Sequence, residues 1–304
     1  MNHEVFPRIT WRELLREAAF GLVSRGLIWS LFIGAAVFMP NEFNTQALAI
    51  AGLVISLRLL WMHGGFVRLG YKLGWLQPTP ARLQTIVDAT SARMNVPVRK
   101  VLLIRSPFGQ AYAVLGSRQV MFTERLLEVM SDEELAAICA HELAHLTEPR
   151  SARYARNLQL LTFLPWIFFN PIVHQFGFPG FYGLVLLTFA TPKVFRRISR
   201  KLETRADAMA IINQGDQGIY ARALARLYED SLIPVVTAKA RATHPHLYDR
   251  MVAAGVTPDF PRPYAAHSMA WHGHIFSGLV GILLAVFVIR LLQLFGTSLF
   301  GTSL

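Results

Sequence analysis

Apolar and polar positions along this chain are organised on two length scales, a long one set by charge-free runs and a short one set by helix and strand periods. No Asp, Glu, Lys or Arg stands between Arg25 and Glu42, and Ala47 to Met62 is broken only by Arg58. Asn157 to Pro192 runs 36 residues without a formal charge, and Ile275 to Ile289 is uncharged as well. An apolar helix of about 20 residues crosses the hydrocarbon core of a bilayer. As one helix the longest run would reach about 54 Å, too far for a single crossing. It contains Asn170-Pro171 and Phe176-Gly177-Phe178-Pro179-Gly180, so two helices broken near Gly177 to Gly180 fit better. The pattern therefore predicts five spans: Leu22 to Met39, Ala47 to Met62, two within 157–192, and one from Ile275 onward. Ahead of them, Ile9 to Phe20 reads as amphipathic, with Trp11 and arginines placed to rest on a membrane surface.

Shorter periods fill the polar stretches. Ala81 to Met94 reads as a helix; Val98 to Arg105, Ala111 to Leu115 and Gln119 to Thr123 read as strands, the last two joined by a turn at Gly116-Ser117. Ser131-Asp132-Glu133-Glu134 is an S-x-x-E capping box, which satisfies the exposed amides of a helix start. That helix should run to about Thr147 and stop before Pro149. The expected fold is mainly α with a small β-hairpin or sheet. Its order is an amphipathic segment and two membrane helices (1–62), the first half of a polar domain (63–156), a membrane hairpin (157–192), the second half of that domain (193–263) and a C-terminal membrane helix (264–304).

Composition supports this picture. Hydrophobic residues make up 53% and charged ones 16%, against about 25% charged in ordinary soluble domains. Five such runs are hard to cover with 49 charged residues, which disfavours reading them as core helices of one soluble domain. Basic residues number 30 against 19 acidic, a net charge of +11. Such an excess suits nucleic acid or the anionic face of a membrane. The arginines choose between these, because they flank the spans and no recognition motif accompanies them. Arg8, Arg12, Arg16 and Arg25 precede the first, Arg68 and Lys72 follow the second, Arg150, Arg153 and Arg156 precede the third, and Lys193, Arg196, Arg197, Arg200 and Lys201 follow the fourth. Basic flanks mark the cytoplasmic side, so both polar stretches belong there and no nucleic acid is expected. The first 20 residues show no signal-peptide pattern. Cys139 is the single cysteine, so no intramolecular disulfide can form.

The chemistry sits on the capped helix. His141-Glu142-Leu143-Ala144-His145 is H-E-x-x-H, whose two histidines point the same way from a helix and can share one Zn²⁺. Glu142 would take a proton from the water that attacks a peptide carbonyl and return it to the leaving amine. A catalytic zinc needs a third protein ligand. Glu203 and Asp207, one turn apart in Lys201-Leu202-Glu203-Thr204-Arg205-Ala206-Asp207-Ala208, supply a candidate ligand and a carboxylate to orient a histidine.

With these residues in place, the stretch from about Pro78 to Pro258 resembles the HtpX-type integral-membrane zinc metallopeptidases, relatives of the CAAX prenyl proteases. The likeness rests on the Ala-Tyr-Ala hairpin, SDEELAAICAHELAH, E-T-R-A-D, and Thr243-His244-Pro245 with Arg250 six residues after the histidine. The resemblance implies a gluzincin-like cytoplasmic peptidase domain holding one Zn²⁺ per chain. His141, His145 and Glu203 would be its ligands, Glu142 the general base and Asp207 a support behind a ligand, with His244 and Arg250 near the oxyanion. A donor imidazole and a fixed cation also suit the oxygen charge that carbonyl attack develops. An extended substrate could add to the edge strand at Gln110, Ala111, Tyr112 and Ala113. By the same resemblance the protein would sit in a bacterial inner membrane, in contact with lipid, and cut misfolded or damaged membrane proteins. Rival readings are a CAAX-type prenyl protease and a catalytically silent membrane scaffold of the same fold. Two departures stand out: Gln110 replaces the family's usual Asn before the hairpin, and the segment from Ile275 lies beyond the family pattern. Cys139, roughly 200° round the helix from His141, reads as a packed thiol. His267, His272 and His274 read as interfacial histidines rather than a second metal site.

Overall fold

A computed structural model describes residues 27–60, 66–152, 161–231 and 244–262, together with scattered positions elsewhere. The amphipathic segment at Ile9 to Phe20, the beginning of the first expected span, most of the fifth, and His267, His272 and His274 lie outside the described residues. The chain divides into two compact units, one formed by 22–59, 158–192 and 267–304, the other by 1–21, 60–157 and 193–266.

In the first unit, α1 (Leu27–Phe38) ends before Pro40, which cannot continue a helix. Helix α2 (Thr45–Leu60) is started by Asn44, whose Oδ1 accepts from the Ala47 amide at 3.0 Å. A 3₁₀ stretch at Leu161–Phe168 leads into a helix whose hydrogen-bond ladder runs over Phe169–Ile212. At Gly177 the dihedrals leave the helix (φ 58°, ψ −142°), a conformation open to glycine. The chain doubles back there. Trp166 Nε1 donates to Thr188 Oγ1 at 2.7 Å, and the rings of Phe169 and Phe181 lie 6.4 Å apart, whereas 12 residues of straight helix would separate them by about 18 Å. Gly180 permits the close approach, since a Cβ there would stand 2.9 Å from Ile172. Small side chains fill the contacts: Ala35, Ala47 and Val54 are buried with Met39 and Ile167. Asn170 Nδ2 donates to the Met39 carbonyl at 2.8 Å. By length and composition one helical stretch, Leu164–Ile212, is long and apolar enough to cross a membrane, and Thr45–Arg58 is a shorter apolar helix. Among the described residues Leu164–Ile212 is the one stretch that meets the length requirement.

The second unit carries the sheet. Helix α3 (Phe66–Lys72) precedes β1 (Leu76–Gln77), α4 (Ala81–Met94), β2 (Lys100–Ile104), β3 (Ala111–Val114), β4 (Gln119–Thr123), α5 (Glu124–Val129) and α6 (Asp132–Leu146). The two-residue β1 is too short to leave a sequence signature. Strand order is β1-β2-β4-β3, with β2 and β4 parallel and the outer pairs antiparallel. The expected hairpin is therefore part of a mixed four-stranded sheet with β3 at its edge. The long helix re-enters this unit from Lys193 and is called α7 (Phe169–Ile212); α8 (Ile219–Asp230) and α9 (Leu247–Ala253) complete it. Leu83, Val87, Val101, Phe122, Leu135, Leu143, Tyr220 and Leu224 meet in one core beneath the sheet.

Candidate active site

Helix α6 begins as its capping box requires: Ser131 Oγ accepts from the Glu134 amide at 3.2 Å, and Glu134 Oε2 accepts from the Ser131 amide at 2.9 Å. Its other end is tied to α7. Arg205, from E-T-R-A-D, donates to the Ala144 carbonyl at 3.3 Å and to Thr147 Oγ1 at 2.9 Å, adding to the bonds that close the last turn.

Between those anchors α6 is buried almost throughout, and His141 and His145 turn their Nε2 atoms toward each other at 3.3 Å. Glu203 Oε2 lies 3.5 Å from His141 Nε2 and 3.6 Å from His145 Nε2. One ligand atom from each of His141, His145 and Glu203 falls within 4.8 Å of the others, and all three residues are buried, a group that can hold a metal ion. Glu142, next in sequence, is also buried.

Each imidazole is backed at its Nδ1. His145 Nδ1 is 2.7 Å from Glu148 Oε1, and His141 Nδ1 is 3.0 Å from Asp207 Oδ1 and 2.9 Å from the Tyr220 hydroxyl. A nitrogen held against a carboxylate carries the proton and leaves the lone pair on Nε2 for a metal. Burial disfavours charge on His145, but hydrogen bonds to Glu148 and Glu203 outweigh it and raise its pKa to about 9. His141 is raised likewise, against burial, by Asp207 and Glu203. Glu203 and Asp207 lie beyond the charge-free run that ends at Pro192. Burial would raise their carboxyls, yet both are held well below the usual range, Glu203 by His141, His145 and His244, and Asp207 by His141 and Arg250.

The remaining expected residues divide. His244 Nδ1 lies 2.9 Å from Glu203 Oε2 with its side chain half exposed, at the open side of the group. Arg250, expected near a developing oxyanion, is buried elsewhere: Nε donates to Asp207 Oδ2 at 2.9 Å and Nη2 to Asp207 Oδ1 at 2.7 Å. A buried guanidinium needs a carboxylate, and Asp207 is the one it meets. Arg250 thus supports the carboxylate behind His141. Gln110 is pinned through its backbone, its amide donating to Thr123 Oγ1 at 2.9 Å and its carbonyl accepting from the Thr123 amide at 3.0 Å. It thereby leads into β3, which packs beside α6. Ala111 and Ala113 face the core while Tyr112 is exposed.

Comparison with known proteins places this arrangement. The profile of peptidase family M48 matches residues 78–255, more than half of the chain. The chain belongs to peptidase family M48. Among curated proteins it is similar to a Protease HtpX homolog of Trichormus variabilis, 27% identical over 240 residues, covering 62% of this chain and 80% of that protein. A Protease HtpX homolog of Archaeoglobus fulgidus is 25% identical over 77% of this chain and 72% of its own. A CAAX prenyl protease 1 homolog of Oryza sativa subsp. japonica is 24% identical over 75% of this chain and 62% of its own. The M48 match spans α4 to α9, and so contains every residue placed above. Two of them escaped sequence reasoning. Glu148 follows His145 by three, a spacing that could have flagged it as a partner on the same helix face. Tyr220 carries no sequence signal, because only the packing of α8 against α6 brings it to His141.

Proposed function

We propose that this M48 peptidase is a membrane-anchored zinc endopeptidase, with His141, His145 and Glu203 as the ligands of one Zn²⁺. The observation that carries the reading is the meeting of two imidazole nitrogens and a carboxylate oxygen on an H-E-x-x-H helix. Borderline-soft zinc takes this mixed N/O donor set, and three protein ligands leave a position open. When bound, zinc polarises the substrate carbonyl and makes a water acidic near neutral pH. Glu142 takes the proton of the attacking water and passes it to the leaving amine, so no covalent intermediate with the enzyme forms. His244, half exposed beside Glu203, donates to the oxygen on which charge develops. Strand β3, at the sheet edge beside α6, offers backbone groups to an extended substrate and demands little of its side chains.

Membrane anchoring is supported by the apolar stretch Leu164–Ile212 and by large apolar side chains left exposed on α2 and the hairpin. The basic flanks favour a cytoplasmic site in a cell membrane, with misfolded membrane proteins as substrates. The similarity to a CAAX prenyl protease 1 homolog over 75% of this chain favours a second reading, cleavage of prenylated C-termini.

The test uses detergent-purified full-length protein with an unfolded casein and a farnesylated peptide as substrates. Glu142→Gln is expected to slow cleavage by about 10²- to 10⁴-fold while still binding zinc, and chelation should abolish activity that zinc restores. Cleavage of casein supports the endopeptidase; cleavage of the farnesylated peptide alone supports the prenyl protease. Bound zinc without cleavage of either leaves the silent scaffold, and chelator-insensitive cleavage refutes the metal reading.

A further inference from the structure

The Tyr220 hydroxyl stands among three partners. It lies 2.9 Å from His141 Nδ1, donates to Asp207 Oδ1 at 2.6 Å and accepts from Arg250 Nη2 at 2.8 Å. The side chain is fully buried, its ring nearly parallel to that of His141 with centroids 6.0 Å apart.

A phenol has one proton to give, and a carboxylate can only accept. With that proton spent on Asp207, the tyrosine oxygen presents a lone pair to His141. Asp207 Oδ1, 3.0 Å from the same ring nitrogen, is an acceptor too. Two acceptors at Nδ1 fix a proton there, which leaves Nε2 as the nitrogen whose lone pair a metal can take. Nε2 is the atom that faces His145 and Glu203. Arg250 completes the set by holding both Asp207 oxygens and donating to the tyrosine.

We propose that Tyr220 is a positioning residue of the metal site, its hydroxyl fixing the tautomer and ring angle of His141. The two ligand histidines then have separate supports. His145 relies on Glu148 from the end of its own helix, whereas His141 relies on Asp207, Tyr220 and Arg250, drawn from α7, α8 and α9. Seating of α8 and α9 is thereby linked to metal binding through one imidazole. This inference rests on the metallopeptidase reading.

The experiment reads zinc affinity of the full-length detergent-solubilised protein by competition with a chromophoric chelator. It also records the visible absorption of the cobalt(II)-substituted site and the thermal midpoint of chelated protein. Tyr220→Phe, which keeps the ring and removes the hydroxyl, is expected to weaken zinc by about 10- to 100-fold, the range for losing such a support, and to alter the cobalt bands. Combined with Asp207→Asn it should cost little beyond the worse single change, because both act through His141; combined with Glu148→Gln the losses should multiply. If Tyr220→Phe does not fold, 3,5-difluorotyrosine at 220, a weaker acceptor of the same shape, must shift affinity in the same direction. Zinc affinity within twofold of wild type with unchanged cobalt bands overturns the proposal, as does a lower thermal midpoint alone, which marks a packing role. Losses from Tyr220→Phe and Asp207→Asn that simply multiply also overturn it. A wild type that binds no zinc refutes the metal reading and this inference together; a zinc-binding wild type with an equally competent Tyr220→Phe refutes only the role of the tyrosine.

Discussion

The two units of this chain sort their side chains in opposite ways. Around the sheet, large apolar residues are inside: Phe122, Leu126, Leu143 and Tyr220 are fully buried. In the helical unit small residues share the interior with a few large ones such as Met39, Ile167 and Leu184, while many large ones lie outside. Ala47 is fully buried, while Leu53 is 60% and Leu186 69% exposed, with Phe38, Leu48 and Phe178 exposed beside them. Water explains the first pattern, since removing apolar area from it drives burial. It cannot explain the second. Where lipid is the solvent, Leu and Phe gain nothing by turning inward, and helices associate through small residues that let backbones approach and through polar groups such as Asn170 bonded across the contact. If lipid surrounds the helical unit, as proposed, the same chain carries two cores written for two solvents.

The largest expected effect separates the two directly. Phe122→Ala empties the sheet core and should cost about 3–5 kcal/mol, whereas Leu186→Ala, on an exposed position, should leave thermal stability in detergent nearly unchanged. Equal losses would mean that the helical unit buries its large residues after all. The next effect reverses the order. Leu53→Asp on the exposed face of α2 should cost about 2.5–3.5 kcal/mol of insertion free energy if that face meets lipid, read as loss of protein from the membrane fraction. Val252→Asp, at a 47% exposed position of the peptidase unit, should stay within about 0.5 kcal/mol of wild type, as a surface change does. Tolerance of Leu53→Asp would show that α2 faces water.

What could be read in advance follows how local each signal is. The start of α6 was legible because a capping box lies within four residues, and Gln119–Thr123 because a strand alternates over a short window. The meeting of His141, His145 and Glu203 was legible because helical spacing sets two of them and E-x-x-x-D announces the third. Pairings across the sheet were not. That β2 runs parallel to β4, with β3 outside, depends on long-range packing that no local pattern records. The charge-free run ends at Pro192, yet the ladder continues through it to Ile212. The bond of Arg250 to Asp207 was not legible either, because its spacing from His244 fixes no direction and the buried carboxylate it meets lies on another helix. A charge-free run measures composition, whereas the helix that carries it depends on breaks such as the one at Gly177.

The smallest effect concerns Cys139, which lies on α6 two residues before His141 yet belongs wholly to the sheet unit's core. If that core is as water-tight as the comparison requires, the thiol should be inert. Burial, aided by the negative charge of Glu142, pushes its pKa up to about 12, so thiolate, the reactive form, is scarce at neutral pH. Iodoacetamide should therefore leave the native protein unlabelled at pH 8 and label it once after denaturation, as counted by intact mass. The linkage has a definite sign. Because the folded pKa lies above the unfolded value of about 8.5, the thiol's contribution to stability is fully present below pH 8.5 and is lost as pH rises toward 12. Replacing Cys139 with alanine should flatten that part of the alkaline stability profile. Rapid native labelling at pH 8 would show that α6 opens to water, and the contrast between a sealed sheet core and the helical unit would give way there first.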